Sequence, residues 1–318
     1  MKHVLLTGAN GFVGKVLLET LLAAGYRVSC ASTAPHPSPR ADFEQIKLDI
    51  RDAMACVAAL ERTKPTHIIH LAAISHVPTS FRDPLLTWNT NVLGSLNLLE
   101  AIKQQASDAF VVFASSSEVY GEAFKAGIAL DENSPCLPMN PYAASKLAAE
   151  LAFEQYFKQG IRGVIVRPFN HIGVGQSPDF VTASFARQIA LIECGKQAPI
   201  MQVGNLEACR DFLDVHDVCA AYLQLLEFSE VQTYPRIFNV ASGHACKIRE
   251  VLDELISQSS ASISVELDPQ RLRPSDIPVA AGNCDRIHDV LSWQPKISLK
   301  ETLALLLAEW RLRVVTER

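Results

Sequence analysis

The sequence lacks the features that mark membrane-spanning, secreted and nucleic-acid-binding proteins. None of its 318 residues belongs to an uninterrupted apolar run of about 18, so no segment is predicted to cross a bilayer. Its first residues show no basic leader followed by an apolar core, so no secretory signal is predicted. The net charge of -5 offers no basic field to a polyanion, and nucleic acid is therefore not an expected partner.

The eight cysteines form no pattern of metal ligands or disulfides. They are widely spaced, without a CxxC pair and without histidine at ligand spacing. We therefore expect reduced thiols in a cytoplasmic protein and no metal site. With 48% hydrophobic and 20% charged residues, the chain can bury a core of the size usual for about 300 residues.

Short β-rich runs alternate with longer segments of helical period up to Pro168. This alternation predicts an α/β fold with a doubly wound parallel sheet of Rossmann type and a smaller α/β lobe. After Pro168 the sequence becomes loop-rich, with Gly173, Gly175, Pro178 and Gly195. Strands are predicted at 4–6, 27–29, 46–48, 67–71, 110–114, 164–166 and 237–240, and helices at 12–24, 53–62, 91–105, 142–158 and 215–227.

A glycine-rich turn, Thr7-Gly8-Ala9-Asn10-Gly11-Phe12-Val13-Gly14, connects the first strand to the first helix. Glycine allows a tight turn and a close approach to a pyrophosphate, and the helix N-terminus supplies free N–H groups and partial positive charge. A purely structural turn also prefers glycine, but the position between strand and helix favours a dinucleotide site. The cofactor contacts expected here are Gly8, Asn10, Gly11, Phe12, Val13 and Gly14.

The end of the second strand indicates which dinucleotide is bound. An acidic residue there would bind the ribose hydroxyls of NAD, but the sequence reads Ser29-Cys30-Ala31-Ser32-Thr33. No carboxylate repels a 2′-phosphate, so NADP(H) is preferred and NAD(H) is the alternative. The expected contacts are Ser32, Thr33 or Arg40.

The predicted elements also suggest two domains. Residues 1–167 are expected to form the dinucleotide-binding domain, and residues 213–240 are expected to return to it. Residues 168–212 and 241–318 are expected to form most of the substrate lobe.

Tyr142 and Lys146 lie four residues apart in a predicted helix and therefore share one face. A nearby ammonium favours phenolate, so the pKa of Tyr142 is expected to fall toward the working range and allow proton transfer. The pair alone is also common on surface helices. However, the stretch Ser115-Ser116-Ser117-Glu118-Val119-Tyr120-Gly121 follows the strand at 110–114, at the edge where open parallel sheets bind ligands. Together these features predict an active site.

The GxxGxxG spacing, the Ser116 stretch and the Tyr142–Lys146 pair resemble the extended short-chain dehydrogenase/reductases, the NAD-dependent epimerase/dehydratase family. The resemblance implies that Ser116 polarises a substrate carbonyl, Tyr142 donates a proton and Lys146 holds the nicotinamide ribose. It also implies a homodimer through the helices at 91–105 and 142–158, which carry Leu93, Leu96, Leu147 and Leu151. The further cofactor contacts it implies are Asp49, Ile50, Leu71, Ala72, Ala73, Asn91, Tyr142, Lys146 and Pro168.

Four further stretches resemble members of that family that act on GDP-sugars: residues 71–77, 167–176, 204–217 and 271–276. A GDP-sugar is therefore the implied substrate. Arg210 and Arg273 suit its diphosphate because planar guanidinium groups bind phosphate oxygens through paired donors. The implied substrate contacts are Ser75, His76, Ser116, Glu118, Asn170, Asn205, Arg210 and Arg273.

The reaction implied by the resemblance depends on Glu118. The stretch beginning at Arg167 and the Asp211-Phe212 pair favour a reductase that acts on the C4 keto group of a GDP-4-keto-6-deoxy-hexose, giving GDP-D-rhamnose or GDP-6-deoxy-D-talose. Ser116-Ser117-Glu118 also resembles the Thr-Ser-Glu of GDP-mannose 4,6-dehydratases, whose Glu is catalytic, so a dehydratase is the alternative. Minor alternatives are an epimerase using Cys136 with His171 or His76, and a non-catalytic cofactor sensor.

Overall fold

The computed structural model describes residues 2–37, 42–230, 235–272 and 277–316. Two predicted contacts, Arg40 and Arg273, lie outside these residues. The strands are β1 His3–Thr7, β2 Arg27–Ser32, β3 Glu44–Lys47, β4 His67–His70, β5 Phe110–Ala114, β6 Arg162–Pro168, β7 Asn170–Ile172, β8 Ile200–Val203, β9 Cys209–Asp214, β10 Ile237–Val240, β11 Ala245–Lys247, β12 Ser264–Leu267 and β13 Val279–Ala280. The α-helices are α1 Phe12–Ala23, α2 Ala53–Thr63, α3 Val77–Arg82, α4 Pro84–Trp88, α5 Gly94–Gln105, α6 Pro141–Lys158, α7 Val181–Glu193, α8 Val215–Leu225, α9 Ile248–Ser257, α10 Asp285–Leu291 and α11 Leu299–Thr316.

Seven parallel strands form the main sheet in the order β10-β6-β5-β4-β1-β2-β3. Val4 and Leu6 of β1 pack on one face with α1 and α8, whereas Leu5 packs on the other face with α2, α5 and α6. Successive strand side chains point to opposite faces, so a strand covered on both sides is apolar throughout. The predicted doubly wound α/β fold is confirmed.

A second core follows β6. Strand β9 pairs with β7, β11 and β13, and β8 pairs with β12. Apolar side chains of α7, α9 and α11, including Phe185, Leu252 and Trp310, pack together beside these strands. The loop-rich prediction for the stretch after Pro168 missed β7, α7, β8 and β9, because the glycines and Pro178 lie at the ends of short elements. The division into two domains stays a prediction. None of the described helices is both long and apolar enough to span a membrane.

The helix predicted from residue 91 begins earlier in the structure. Asp83 accepts a hydrogen bond from Leu86 N at 2.9 Å and caps α4, with Pro84 at its first position. Aspartate before proline is a common start for a helix. A π-helical turn, Asn89–Leu93, then joins α4 to α5, and within it Asn91 is buried.

Candidate active site

A cavity of about 2140 Å³ opens at the carboxyl ends of β1, β4, β5 and β6 and extends to α7 and β8. It lies where the strand order reverses between β1 and β4, the usual ligand position in open α/β sheets. Among the predicted cofactor, substrate and reductase catalytic residues within the described ranges, all except Asn91 line it. They are Gly8, Asn10, Gly11, Phe12, Val13, Gly14, Ser32, Thr33, Asp49, Ile50, Leu71, Ala72, Ala73, Ser75, His76, Ser116, Glu118, Tyr142, Lys146, Pro168, Asn170, Asn205 and Arg210.

The glycine turn leaves no room for side chains at two of its positions. A Cβ on Gly14 would lie 2.4 Å from Gly8 O, and one on Gly8 would lie 2.8 Å from Ala72 N. Gly8 also has a φ of +72°, which L residues rarely adopt. The turn is therefore packed tightly, and its backbone at Gly8, Gly11 and Gly14 forms a cradle that lines the cavity at the start of α1, as a pyrophosphate requires.

Unpartnered polar atoms beside this cradle also fit a dinucleotide. The Asn10 amide nitrogen donates to Ala34 O at 2.8 Å, whereas its buried oxygen accepts no hydrogen bond from the described residues. The Ser115 hydroxyl at the end of β5 is likewise buried without a partner in the described part of the chain. Since buried polar groups are normally hydrogen-bonded, both suit the hydroxyls or amide of a bound ligand.

The adenosine end of the cavity contains an ion pair that the sequence analysis missed. Arg51 donates to both carboxylate oxygens of Asp49, through Nε at 3.0 Å and Nη2 at 2.5 Å. The hydrogen bonds from Arg51 hold the pKa of Asp49 below its usual value. This ion pair lines the cavity that Ser32 and Thr33 also line, where a 2′-phosphate is expected. The only signal for Arg51 was its spacing of two residues from Asp49.

The start of α6 sets the position of Tyr142. Asn140 Oδ1 accepts from Ala143 N at 2.8 Å and caps the helix, and Pro141 occupies its first position. The same Asn140 donates from Nδ2 to Glu118 Oε2 at 3.0 Å. Asn140 therefore tethers the Glu118 carboxylate to the helix that carries Tyr142. Asn140 was not predicted as a site residue, although its place before Pro141 is a capping signal.

Ser116, Tyr142 and Lys146 are brought together at the end of β5. The Ser116 hydroxyl accepts from Glu118 N at 3.2 Å, and its interaction with the Tyr142 phenol opposes the effect of burial on the pKa of that phenol. Lys146 Nζ donates to Ala114 O at 2.6 Å and lies 4.9 Å from the centre of the Phe113 ring. Two hydroxyls and one ammonium therefore converge on the cavity, as proton transfer to a carbonyl oxygen requires.

The pKa of Tyr142 shifts in the opposite direction to the sequence prediction. Burial raises this pKa to about 12, the Glu118 carboxylate adds to the rise, and the Ser116 hydrogen bond opposes it. The prediction was wrong because the ammonium of Lys146 donates to Ala114 O and burial outweighs any attraction of the charge. Tyr142 is consequently protonated at neutral pH, which is the form of a proton donor.

Asn91 supports the site from behind the cavity wall. Its amide nitrogen donates to Ile74 O at 3.0 Å and to Ser145 Oγ at 2.9 Å, and its oxygen accepts from Ile74 N at 2.8 Å. All these bonds are internal, so the predicted cofactor contact of Asn91 is corrected. The π-helical turn directs this side chain inward, where it joins the segment after β4 to α6.

The substrate side of the cavity is rich in arginine. Arg210 donates from Nη1 to Cys209 O at 2.8 Å and to Ile277 O at 2.7 Å, which fixes its direction. Arg187 and Arg271, which the sequence analysis did not select, line the same cavity. Three guanidinium groups in one cavity are suited to an anionic substrate. Within the described ranges, no group of three or more metal-binding side chains meets.

The cysteine–histidine pair considered for epimerisation does not form in the cavity. His76 and His171 line it, but Cys136 packs instead behind it against the cluster that contains Tyr120 and Phe124. His171 donates from Nδ1 to Phe169 O at 2.9 Å and stacks on Phe12, with 6.1 Å between ring centres. Since the histidines reach the cavity and Cys136 does not, acid/base catalysis by a Cys136–histidine pair is not supported.

Comparison with known proteins places this geometry in context. The family model described as GDP-mannose 4,6 dehydratase matches residues 5–306. GDP-6-deoxy-D-mannose reductase of Pseudomonas aeruginosa is 38% identical over 99% of both chains, and GDP-mannose 4,6 dehydratase of Cricetulus griseus is 30% identical over 94% of this chain and 89% of its own. The solved structure of RMD from Pseudomonas aeruginosa with NADPH is 37% identical, covering 98% of this chain and 100% of its own, with a TM-score of 0.85.

Proposed function

The chain belongs to the GDP-mannose 4,6-dehydratase family of extended short-chain dehydrogenase/reductases, and from this we propose that it is an NADPH-dependent reductase of GDP-4-keto-6-deoxy-D-mannose. The observation that carries the proposal is the 38% identity with a GDP-6-deoxy-D-mannose reductase over 99% of both chains. The dehydratase relative is less similar, at 30%. The product is GDP-D-rhamnose, or GDP-6-deoxy-D-talose if hydride reaches the other face of C4.

The cradle at Gly8, Gly11 and Gly14 would hold the cofactor pyrophosphate, and Lys146 would hold the nicotinamide ribose. NADPH, when bound, supplies the hydride. Ser32 and Thr33 stand at the end of β2 without a carboxylate, which favours NADP(H) over NAD(H). The remaining contacts are the residues predicted from the sequence that line the cavity, together with Arg51, which is held by Asp49.

Tyr142 and Ser116 carry out the chemistry at the sugar oxygen. Because Ser116 Oγ already accepts from Glu118 N, its proton is available to donate to the C4 carbonyl oxygen. Tyr142 then transfers its proton to that oxygen as negative charge develops. The Lys146 ammonium favours the resulting phenolate. Together with the hydride that NADPH would supply, the proton from Tyr142 converts the ketone to an alcohol.

The activity is expected to fall at alkaline pH because Lys146 loses its charge. Burial lowers the pKa of Lys146 to about 8, with the Glu150 carboxylate opposing the shift. The ammonium is therefore present below pH 8 and is lost above it, while Tyr142 stays protonated throughout. A pH profile of kcat/KM should be level near neutrality and decline with an apparent pKa near 8. A profile that rises through this range would contradict the role of the Lys146 ammonium.

Glu118 distinguishes the reductase from the dehydratase. In a reductase it holds a sugar hydroxyl, so Glu118→Gln is expected to cost one charge-assisted hydrogen bond, about 1.5–3 kcal/mol. Glutamine can still accept from Asn140. In a dehydratase Glu118 would move a proton, and the same change would reduce kcat with GDP-mannose far more than binding. The steady-state rates of the wild type and of Glu118→Gln, measured with GDP-4-keto-6-deoxy-D-mannose and with GDP-mannose, distinguish the two roles of Glu118. Conversion of GDP-mannose by the wild type would contradict the proposal.

A non-catalytic cofactor sensor is the remaining alternative. Ser116, Tyr142 and Lys146 are all present, and the arginine-rich side of the cavity would have no purpose in a sensor. Thermal unfolding separates the two classes, because a ligand that binds the folded state raises its Tm. We expect stabilisation by NADP(H) and, separately, by GDP. Stabilisation by the dinucleotide alone would favour the sensor.

We further propose a homodimer through an apolar patch on α4, α6 and the π-helical turn before α5. Leu85, Trp88, Leu93 and Leu151 are 82%, 41%, 54% and 60% exposed, whereas Leu96 and Leu147 are half-buried within the chain. Clustered exposed apolar side chains indicate an interaction surface. Light scattering should give twice the chain mass, and Leu93→Asp with Leu151→Asp should give the chain mass. A monomeric wild type at micromolar concentration would contradict the dimer.

The cytoplasmic location stays a prediction.

A further inference from the structure

A buried ion pair lies directly behind the catalytic residues. Arg167, the last residue before Pro168, donates to Glu150 from Nε at 3.0 Å and from Nη2 at 2.7 Å. The two residues are 4% and 2% exposed, and neither lines the cavity. The contact is therefore a two-point fork, which fixes direction as well as distance.

The same guanidinium contacts a third element. Arg167 Nη1 donates to the Tyr120 hydroxyl at 3.1 Å, and Tyr120 in turn donates to Asn239 Oδ1 of β10 at 2.7 Å. Glu132 accepts from Asn239 N at 2.7 Å and pairs with Arg286 at 3.4 Å. The hydrogen-bonding groups of Arg167 are thus engaged from several directions, which leaves it little freedom to move.

Arg167 and its partners Glu150 and Tyr120 each lie in an element that also carries a residue of the active site. Glu150 follows Lys146 by four residues on α6, and so lies one turn along the same face. Tyr120 ends the 3-10 turn that Ser116 caps. Arg167 itself precedes Pro168, which lines the cavity. Three elements that carry reacting or lining groups therefore meet at one buried guanidinium.

Stability alone does not require this arrangement. Removing two charges from water costs free energy, and a buried ion pair can often be replaced by apolar residues of similar size without loss of stability. A planar fork, however, holds two elements in one orientation, and small displacements of catalytic groups have large effects on rate. The charge of Glu150 also favours the ammonium form of Lys146. His70 of β4 is buried near this ammonium, and burial lowers the pKa of His70 to about 3, so its imidazole is neutral.

We propose that Glu150 and Arg167 are positioning residues that align Lys146 and Ser116 with the cofactor side of the cavity. They act through α6 and the 3-10 turn and touch neither substrate nor cofactor. This inference rests on the proposed function for its activity measurements. Its effects on NADPH affinity and on thermal unfolding can be measured without any turnover.

The decisive variant replaces the pair together, Glu150→Leu with Arg167→Met, which removes both members of the buried ion pair at once. We expect a Tm close to that of the wild type, about tenfold weaker NADPH binding, and a kcat about 10- to 100-fold lower. The alkaline limb of the pH profile should move to lower pH, because Lys146 loses the carboxylate that favours its ammonium. A double variant that folds and keeps the wild-type kcat and the wild-type affinity for NADPH would overturn the proposal.

A matched control is the Arg311–Glu193 pair between α11 and α7, which has the same two-point geometry at 2.7 Å and does not line the cavity. Glu193→Leu with Arg311→Met should leave kcat and the pH profile unchanged. If the Glu150 double variant does not fold, Arg167→Lys keeps the charge but loses the fork. It should lower kcat and leave the alkaline limb in place, and an unchanged kcat would then overturn the proposal. A wild type without reductase activity but with the predicted loss of NADPH affinity in the double variant would refute the function alone.

Discussion

Replacing Tyr142 with phenylalanine is expected to lower kcat about 10²- to 10⁴-fold, because general acid catalysis by one positioned group contributes about that factor. The buried phenol keeps its proton at neutral pH because burial raises its pKa to about 12. Phenylalanine preserves the ring and its packing but removes the proton. The NADPH dissociation constant should therefore stay within a few-fold of the wild-type value, so that the loss appears in turnover.

Tyr156 provides the control for this variant. It lies on the same helix, and its hydroxyl donates to Glu100 on α5, away from the cavity. Tyr156→Phe should keep wild-type kcat. Near-wild-type turnover by Tyr142→Phe would show that another group donates the proton, and the assignment of the acid would be wrong.

Replacing Lys146 with alanine is expected to weaken both cofactor binding and turnover. Loss of a hydrogen bond to a charged donor costs about 1.5–3 kcal/mol, so the NADPH dissociation constant should rise about 10- to 100-fold. The phenolate formed at Tyr142 also loses its nearby charge, so kcat should fall by about a further 10²-fold. Isothermal titration with NADPH and steady-state kinetics separate the two effects.

Lys158 at the end of α6 is the matched control for Lys146. It is exposed and does not line the cavity, so Lys158→Ala should change neither quantity. Alanine at position 146 also removes a buried charge, and we therefore expect the variant to stay folded. A loss of turnover with unchanged NADPH affinity would contradict the ribose-binding role of Lys146.

The features of this protein that follow from local pattern were predictable from the sequence. Strands such as β5 are apolar at every position because both faces are covered, and the alternation with amphipathic segments then gives a parallel sheet. Parallel strands end at one edge, so residues after β1, β4 and β5 had to lie near one another. The convergence of Gly8, Ser116 and Tyr142 on one cavity follows from this geometry.

Other features depend on contacts between distant parts of the chain. Spacing places Tyr142 and Lys146 on one helical face, but it cannot reveal that Lys146 donates to Ala114 O across 32 residues. The predicted direction of the shift in the Tyr142 pKa was therefore wrong. Asn91 turns inward because of a π-helical turn, which has no clear sequence signal. Helix α7 was missed because glycines and Pro178 around it suggested loops.

The most direct test of the proposed function is incubation of the wild-type protein with GDP-4-keto-6-deoxy-D-mannose and NADPH, with the nicotinamide absorbance followed over time and the product analysed by NMR. We expect one NADPH oxidised for each sugar consumed, a new C4 hydroxyl in the product, and no reaction when GDP-mannose is supplied instead. Conversion of GDP-mannose to the 4-keto sugar without net NADPH consumption, together with no oxidation of NADPH by the 4-keto sugar, would contradict the reductase and identify a dehydratase.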